Sequence, residues 1–221
     1  MKMTDPMLRQ NVLDELAFNP GLNADDIGVT ASSGVVTLFG HVGNYAEKWA
    51  AERCTERVKG VRAVAVELRV VPFEFNGLDD DIIARRALQS LDWDARMPKD
   101  RVQIKVEKGW LTLSGDVDWN FQRVDAETDV RRLQGVLGVS NAIVVKSHPA
   151  TQVTEDEIKS RIDAAFRRSS EIVPGTVSVR LFQGYVTLSG KVASWHERRL
   201  AQNTAWSASG VIGVENLLTV V

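Results

Sequence analysis

Cysteine is almost absent from this 221-residue chain. Cys54 is the single thiol, which excludes an intramolecular disulfide and any multi-cysteine metal site. Long apolar runs are missing too, and none approaches the roughly 18 residues that a membrane-spanning helix requires. An excess of charge of either sign is also lacking. Lys+Arg 27 against Asp+Glu 29 leaves a formal net charge of -2, so the chain as a whole has no electrostatic footprint for nucleic acid. The opening residues, MKMTDPMLRQNVLDELAF, hold no apolar stretch followed by a small-residue cleavage site and do not read as a secretory signal. A cytoplasmic location is the expectation for a native full-length chain. What remains is the balance of an ordinary globular protein, 44% hydrophobic and 25% charged.

What is present is repetition. GVVTLFGHV from Gly34, GWLTLSGDV from Gly109 and GYVTLSGKV from Gly184 are spaced by a constant 75 residues. The pairs Gly60-Val61, Gly135-Val136 and Gly210-Val211 keep the same offset, as do Ala51/Ala126/Ala201, Val64/Val139/Val214 and Val70/Val145/Val220. At least ten columns are identical in all three copies, where chance would give roughly 0.2, so the repeat is real. The copies run 4–71, 79–146 and 154–221, joined by PFEFNGL and SHPATQV. A period this long exceeds one solenoid unit, so each copy is expected to be a small domain. Domains of this size bury only about 60% of their unfolded surface, which favours packing against a neighbour. Phe73 and Phe75 in the first connector are expected to dock.

Within a copy, Leu8, Val12 and Leu16 recur at helical spacing, as do Ile83, Ala87, Leu91 and Ile158, Ile162, Phe166. Thr154 with Glu157 predicts a capping box, and Pro20, Pro98 and Pro174 mark the exit loops. Val102, Ile104, Val106 and Val177, Val179, Leu181 alternate with polar residues, predicting strands. The turn at Ser33-Gly34, Lys108-Gly109 or Gln183-Gly184 predicts a tight hairpin, whose return strand buries Leu38, Leu113 or Leu188. Asn44 with Glu47 and Ser194 with Glu197 predict capping boxes on a second helix. Ala51, Ala126 and Ala201 face inward on it, and Gly60, Gly135 and Gly210 are expected as the first residue past its end. A last strand closes each copy, with a crossover to a parallel neighbour. The fold class is α+β: three tandem α-β-β-α-β domains, each a three-stranded mixed sheet packed by two helices.

The glycine-centred hairpin, the Gly-Val pair after the second helix and the α-β-β-α-β order resemble the BON domain (bacterial OsmY and nodulation), in all three copies. The resemblance implies a bacterial envelope or osmotic-stress protein, periplasmic by family habit, that binds phospholipid or other proteins.

Candidate chemistry is sparse. His41, His148 and His196 fall in different columns of the repeat, so no catalytic or metal role is expected of them. Cys54 shares a column with Asp129 and Thr204, which predicts an exposed or half-exposed thiol. Gly135-Val-Leu-Gly138 and Gly210-Val-Ile-Gly213 have the GxxG spacing of an RNA-clamping loop, but they hold no Lys or Arg and lie between a helix and a strand. The copies carry 7 basic against 9 acidic, 11 against 12, and 8 against 7 residues. No nucleic-acid partner is expected.

In the second copy Arg85 and Arg86 precede Trp93 and Arg96 follows it. Guanidinium groups beside an aromatic ring suit a phospholipid headgroup layer. Asp79, Asp80, Asp81, Asp92 and Asp94 surround them, and the competing reading is a solvated helix end with Trp93 packed on the sheet. In the third copy, Trp195 and Trp206 predict either core or interface. The sequence therefore predicts a non-enzymatic binding module without cofactor, metal or small-molecule substrate. It attaches to a phospholipid surface or a client protein in osmotic or envelope stress, three weak sites adding through effective concentration. The alternative is a cytosolic chaperone-like or scaffold protein that binds partners without lipid.

Overall fold

The computed structural model describes residues 3–71, 79–146, 154–173 and 175–221. Among them the same five elements occur three times. First helices are α1 (Asp5–Phe18), α3 (Asp80–Trp93) and α5 (Glu155–Arg168); second helices are α2 (Tyr45–Arg57), α4 (Asn120–Arg131) and α6 (Trp195–Trp206). The strands are β1 (Ile27–Ser32), β2 (Val35–Val42) and β3 (Ala63–Val70), then β4 (Val102–Glu107), β5 (Trp110–Val117) and β6 (Gly138–Val145), then β7 (Val177–Phe182), β8 (Tyr185–Val192) and β9 (Gly213–Val220). Each sheet has its middle strand at the centre. β1 pairs antiparallel and β3 parallel with β2, and β7 and β9 do the same with β8. The fold is the expected α+β arrangement, and the parallel closing strand is the one the crossover predicted.

The chain divides into two compact units, Met1–Val117 with Phe121–Val144, and Asp118–Asn120 with Val145–Val221. The first two copies thus share a unit. The connectors carrying Phe73, Phe75 and His148 lie outside the described residues, as does Pro174.

The apolar periodicity does what it predicted. Leu8, Val12 and Leu16, with their counterparts in α3 and α5, are buried, and Ala51, Ala126 and Ala201 are fully buried where the second helix meets the sheet. Leu38, Leu113 and Leu188 are fully buried at the centre of each core, where truncation to alanine costs about 2–5 kcal/mol. The capping box at Thr154 is complete. At α2 and α6 the glutamate instead reaches one residue further back, to the N–H of Gly43 at 3.0 Å and of Ala193 at 2.6 Å. On the outer strand, Lys48 donates to the Leu68 carbonyl at 2.8 Å and Arg198 to those of Leu218 and Asn216 at 3.0 and 2.6 Å.

Each hairpin turn has positive φ at both central residues: 52° and 82° at Ser33-Gly34, 51° and 75° at Lys108-Gly109, 48° and 79° at Gln183-Gly184. That is the turn whose twist matches the strands. The strained Lys108 and Gln183 are held by an acid at the first position of the first helix. Asp80 accepts from the N–H of Lys108 at 2.7 Å and of Gly109 at 2.9 Å, and Glu155 from Gln183 at 2.6 Å. The turn glycine's carbonyl in turn accepts from Arg62, Leu137 or Ile212 at 2.8, 2.9 and 2.9 Å. A Cβ on Gly109 or Gly184 would come within 2.9 or 3.0 Å of the carbonyl oxygen of Gly135 or Gly210. The two glycine series of the repeat are therefore two sides of one contact. The helices end at Arg57, Arg131 and Trp206, so Gly60, Gly135 and Gly210 occupy the turn beyond rather than the first residue past the helix.

A third glycine column explains itself only in space. Gly40, Gly115 and Gly190 have φ of 116°, 111° and 132°, and a Cβ on any of them would stand 2.0 Å from the carbonyl oxygen of Asp26, Arg101 or Thr176. Gly115→Ala is expected to lower the unfolding free energy by about 2–4 kcal/mol in urea denaturation. Gly175→Ala, where φ is +84° but the added carbon meets nothing within 4 Å, should cost only about 1 kcal/mol. Equal losses would contradict the steric account.

Candidate functional site

The four residues singled out by sequence lie on α3 and its exit loop. Leu91 is the last buried residue of that helix, and Trp93, two positions on and about 200° around the axis, points away from the core. It is 82% exposed, so the ring does not pack on the sheet. Phe18 occupies the same column in the first copy and is 84% exposed, a correspondence the sequence reading missed. Arg85 and Arg86 are exposed on α3, with Arg85 paired to Asp81 one turn earlier. Arg96 is held by Asp94 at 3.2 Å and Asp125 at 3.1 Å and stands 6.0 Å from the Phe121 ring centre. An exposed aromatic ring thus stands on the same helix and exit loop as the guanidinium groups, two of which are already answered by acids.

Beside this patch a hollow of about 110 Å³ opens at the helix exit, lined by Leu88, Leu91, Met97 and Val102 with Asp92 and Lys99. The third copy has one of about 280 Å³ on matching columns, including Asp163, Phe166, Ile172 and Val177.

A second cluster joins the first two copies. Trp49 on α2 carries the Arg53 guanidinium 5.0 Å and the Arg131 guanidinium of α4 4.0 Å from its ring centre. Arg131 is only 6% exposed and pairs with Glu127 at 2.9 Å; burial pulls its pKa down. Burial likewise pushes the Tyr45 phenol up, opposed by a hydrogen bond with the Val139 backbone. Sequence offered one signal here: Trp49 shares its column of the repeat with Val124 and Arg199, so its ring is peculiar to the first copy.

The outer sheet faces carry exposed apolar groups: Phe39 in the first copy, Trp110 and Val144 in the second, Phe182, Tyr185 and Leu217 in the third. The Trp110 ring covers Gly138 and the Tyr185 ring covers Gly213, where an added Cβ would lie 2.3 and 2.4 Å from ring atoms. That accounts for the second glycine of each GxxG. Trp206 packs at the edge of the third core, and Arg198 stands 5.1 Å from the Trp195 ring centre.

His196 bonds Glu171 at 2.7 Å. Cys54 corrects an expectation. It is 1% exposed, because its side of α2 turns toward the end of α1, where the Asn19 amide approaches the sulfur at 3.2 Å. Among the described residues no group of three or more His, Cys, Asp or Glu is placed to hold a metal ion, and no helix is long and apolar enough to cross a membrane.

A family model described as BON domain matches residues 4–72, 79–147 and 154–221. The osmotically-inducible protein Y of Escherichia coli (strain K12) is 28% identical over 148 residues, covering 65% of this chain and 74% of that protein. Two solved structures of CdsD, a structural protein of the type III secretion system of Chlamydia trachomatis, align with 15% and 14% identity. They cover 96% and 100% of this chain and 91% and 100% of theirs, at TM-scores of 0.26 and 0.27, too low to carry an argument.

The Asp94 carboxyl is held below its ordinary range, first by the backbone N–H of Arg96 and then by its guanidinium. A depressed carboxyl stabilises the fold above its unfolded-state pKa, and the contribution fades as pH falls through the folded-state value. The stability difference between the native chain and Asp94→Asn, followed by urea denaturation, should therefore be present at neutral pH and shrink below about pH 4. A difference that stays constant would contradict the pairing.

Proposed function

The chain belongs to the BON domain family, and on that premise we propose that it is a non-catalytic attachment module that engages anionic phospholipid surfaces in osmotic stress. One observation carries the reading: Trp93 and Phe18, on the same column of adjacent copies, project almost wholly into solvent at the ends of their helices. An aromatic ring at a helix end, with Arg85 and Arg86 upstream, suits the boundary between acyl chains and phosphates. The osmotic setting is carried over from the name of the Escherichia coli relative. By family habit the compartment is the periplasm, against the cytoplasmic expectation drawn from the opening residues. Attachment is reversible and weak per copy, and adds through the effective concentration of linked copies. A second reading, capture of a client protein, is favoured by the exposed Phe182, Tyr185 and Leu217 of the third copy.

Co-sedimentation with liposomes separates the two. The native chain should bind vesicles containing anionic lipid, and less well at high salt. Trp93→Ala should weaken binding roughly tenfold, and Arg85→Ala or Arg86→Ala about fivefold each. Absence of binding to any vesicle would overturn the lipid reading and leave the client-protein one.

A further inference from the structure

The cleft between the first two copies is unused by the surface just described. We propose that it binds a small oxyanion, a phosphate or phosphate ester, seated between Arg132 and the buried Arg131. The cleft measures about 520 Å³ and is lined by Asn44 and Trp49 from one copy and by Thr128, Arg131 and Arg132 from the other, a size ordinary for a small-ligand site.

Its guanidinium donors are not all used internally. Arg131 is nine-tenths buried, yet its Nε has no hydrogen-bond partner, and Arg53, on the same indole, has an unpartnered buried Nε as well. Buried guanidinium groups short of acceptors are costly. The nearby acids are largely committed. Glu127 pairs with Arg131 at 2.9 Å and Glu56 with Arg53 at 2.7 Å. Glu47, which also lines the cleft, has its two oxygens on the Gly43 N–H and the Asn44 amide at 3.0 and 2.6 Å. Asp129 feels Arg132, but it also feels Arg96 and the acids Asp94 and Asp125. Arg132 is exposed and reaches the cleft with its donors available. The first residues of α2 open onto the same space, so the positive end of that helix adds to the field. An oxyanion there takes direct hydrogen bonds from Arg132 and adds negative charge beside Arg131, whose partner Glu127 leaves its Nε unanswered. Glu127 on Arg131 and the three-residue crowd of Arg53, Trp49 and Arg131 keep the cationic wall rigid.

The test is titration of the full chain with inorganic phosphate, read by calorimetry against sodium chloride at equal ionic strength. One site in the first unit is expected. Arg132→Ala should weaken it roughly tenfold, while Arg132→Lys keeps most of it. The combined Arg85→Ala, Arg86→Ala, Trp93→Ala variant should bind phosphate as the native chain does, which separates this site from the vesicle surface. Vesicles of phosphatidylglycerol then distinguish the source. Loss of vesicle binding in Arg132→Ala assigns the phosphate to a lipid headgroup, and unchanged vesicle binding assigns it to a free phosphate compound. No heat beyond that of sodium chloride, or native affinity in Arg132→Ala, would overturn the site.

Discussion

Everything in each copy hangs on the place where two backbone turns touch. A side chain on the hairpin glycine would strike the turn beyond the second helix, whose own glycine is held at a φ of 95°, 91° or 96°, and the hairpin's carbonyl is bonded by the residue two positions past that second glycine. That contact sets where the closing strand begins, and hence its register beside the central strand, from Val35 opposite Ala63 to Val42 opposite Val70. Register in turn decides which side chains of the closing strand face the helices, because a slip of one residue would turn the buried Leu68 out of the core. In the second and third copies the acid at the start of the first helix fastens the same turn from the other side. Three elements distant in sequence therefore meet at one tight turn.

With the scaffold fixed this firmly, the copies diverge elsewhere. Two positions past the last buried residue of the first helix stand Phe18, Trp93 or Arg168; the outer face of the second helix carries Trp49, Val124 or Arg199. In one column divergence gives two exposed rings and a cation, in the other a clamp between the first two copies. Small domains with little core gain from such a clamp, and the first two copies lie in one compact unit.

Much of this was legible in the sequence. Periodicity placed the elements, because burial of one face repeats every 3.6 or 2 residues whatever lies opposite. The alanine column and Leu38, Leu113 and Leu188 followed from the same logic. What escaped was contact across long separations. Nothing local says that Gly115 lies against the carbonyl of Arg101, that Asp80 caps a turn 28 residues away, or that the Trp110 ring needs Gly138 beneath it. Cys54 was misjudged because its partners in the other copies, Asp129 and Thr204, are polar; its burial comes from the Asn19 amide at the end of the neighbouring helix. The patch residues were chosen by type, but the exposure of Trp93 and its twin Phe18 required the helix end to be seen.

The functional account rests on those helix ends meeting a lipid surface while the sheets stay uninvolved. Aromatic groups that remain in water at equivalent positions of two copies are the feature the packing does not otherwise use. Hydrogen exchange with and without anionic vesicles tests this most directly. The account predicts slowed exchange over residues 13–25 and 88–102, at the ends of α1 and α3, with the strands unchanged. Slowing confined to the strands of the third copy, or none at all, would contradict it.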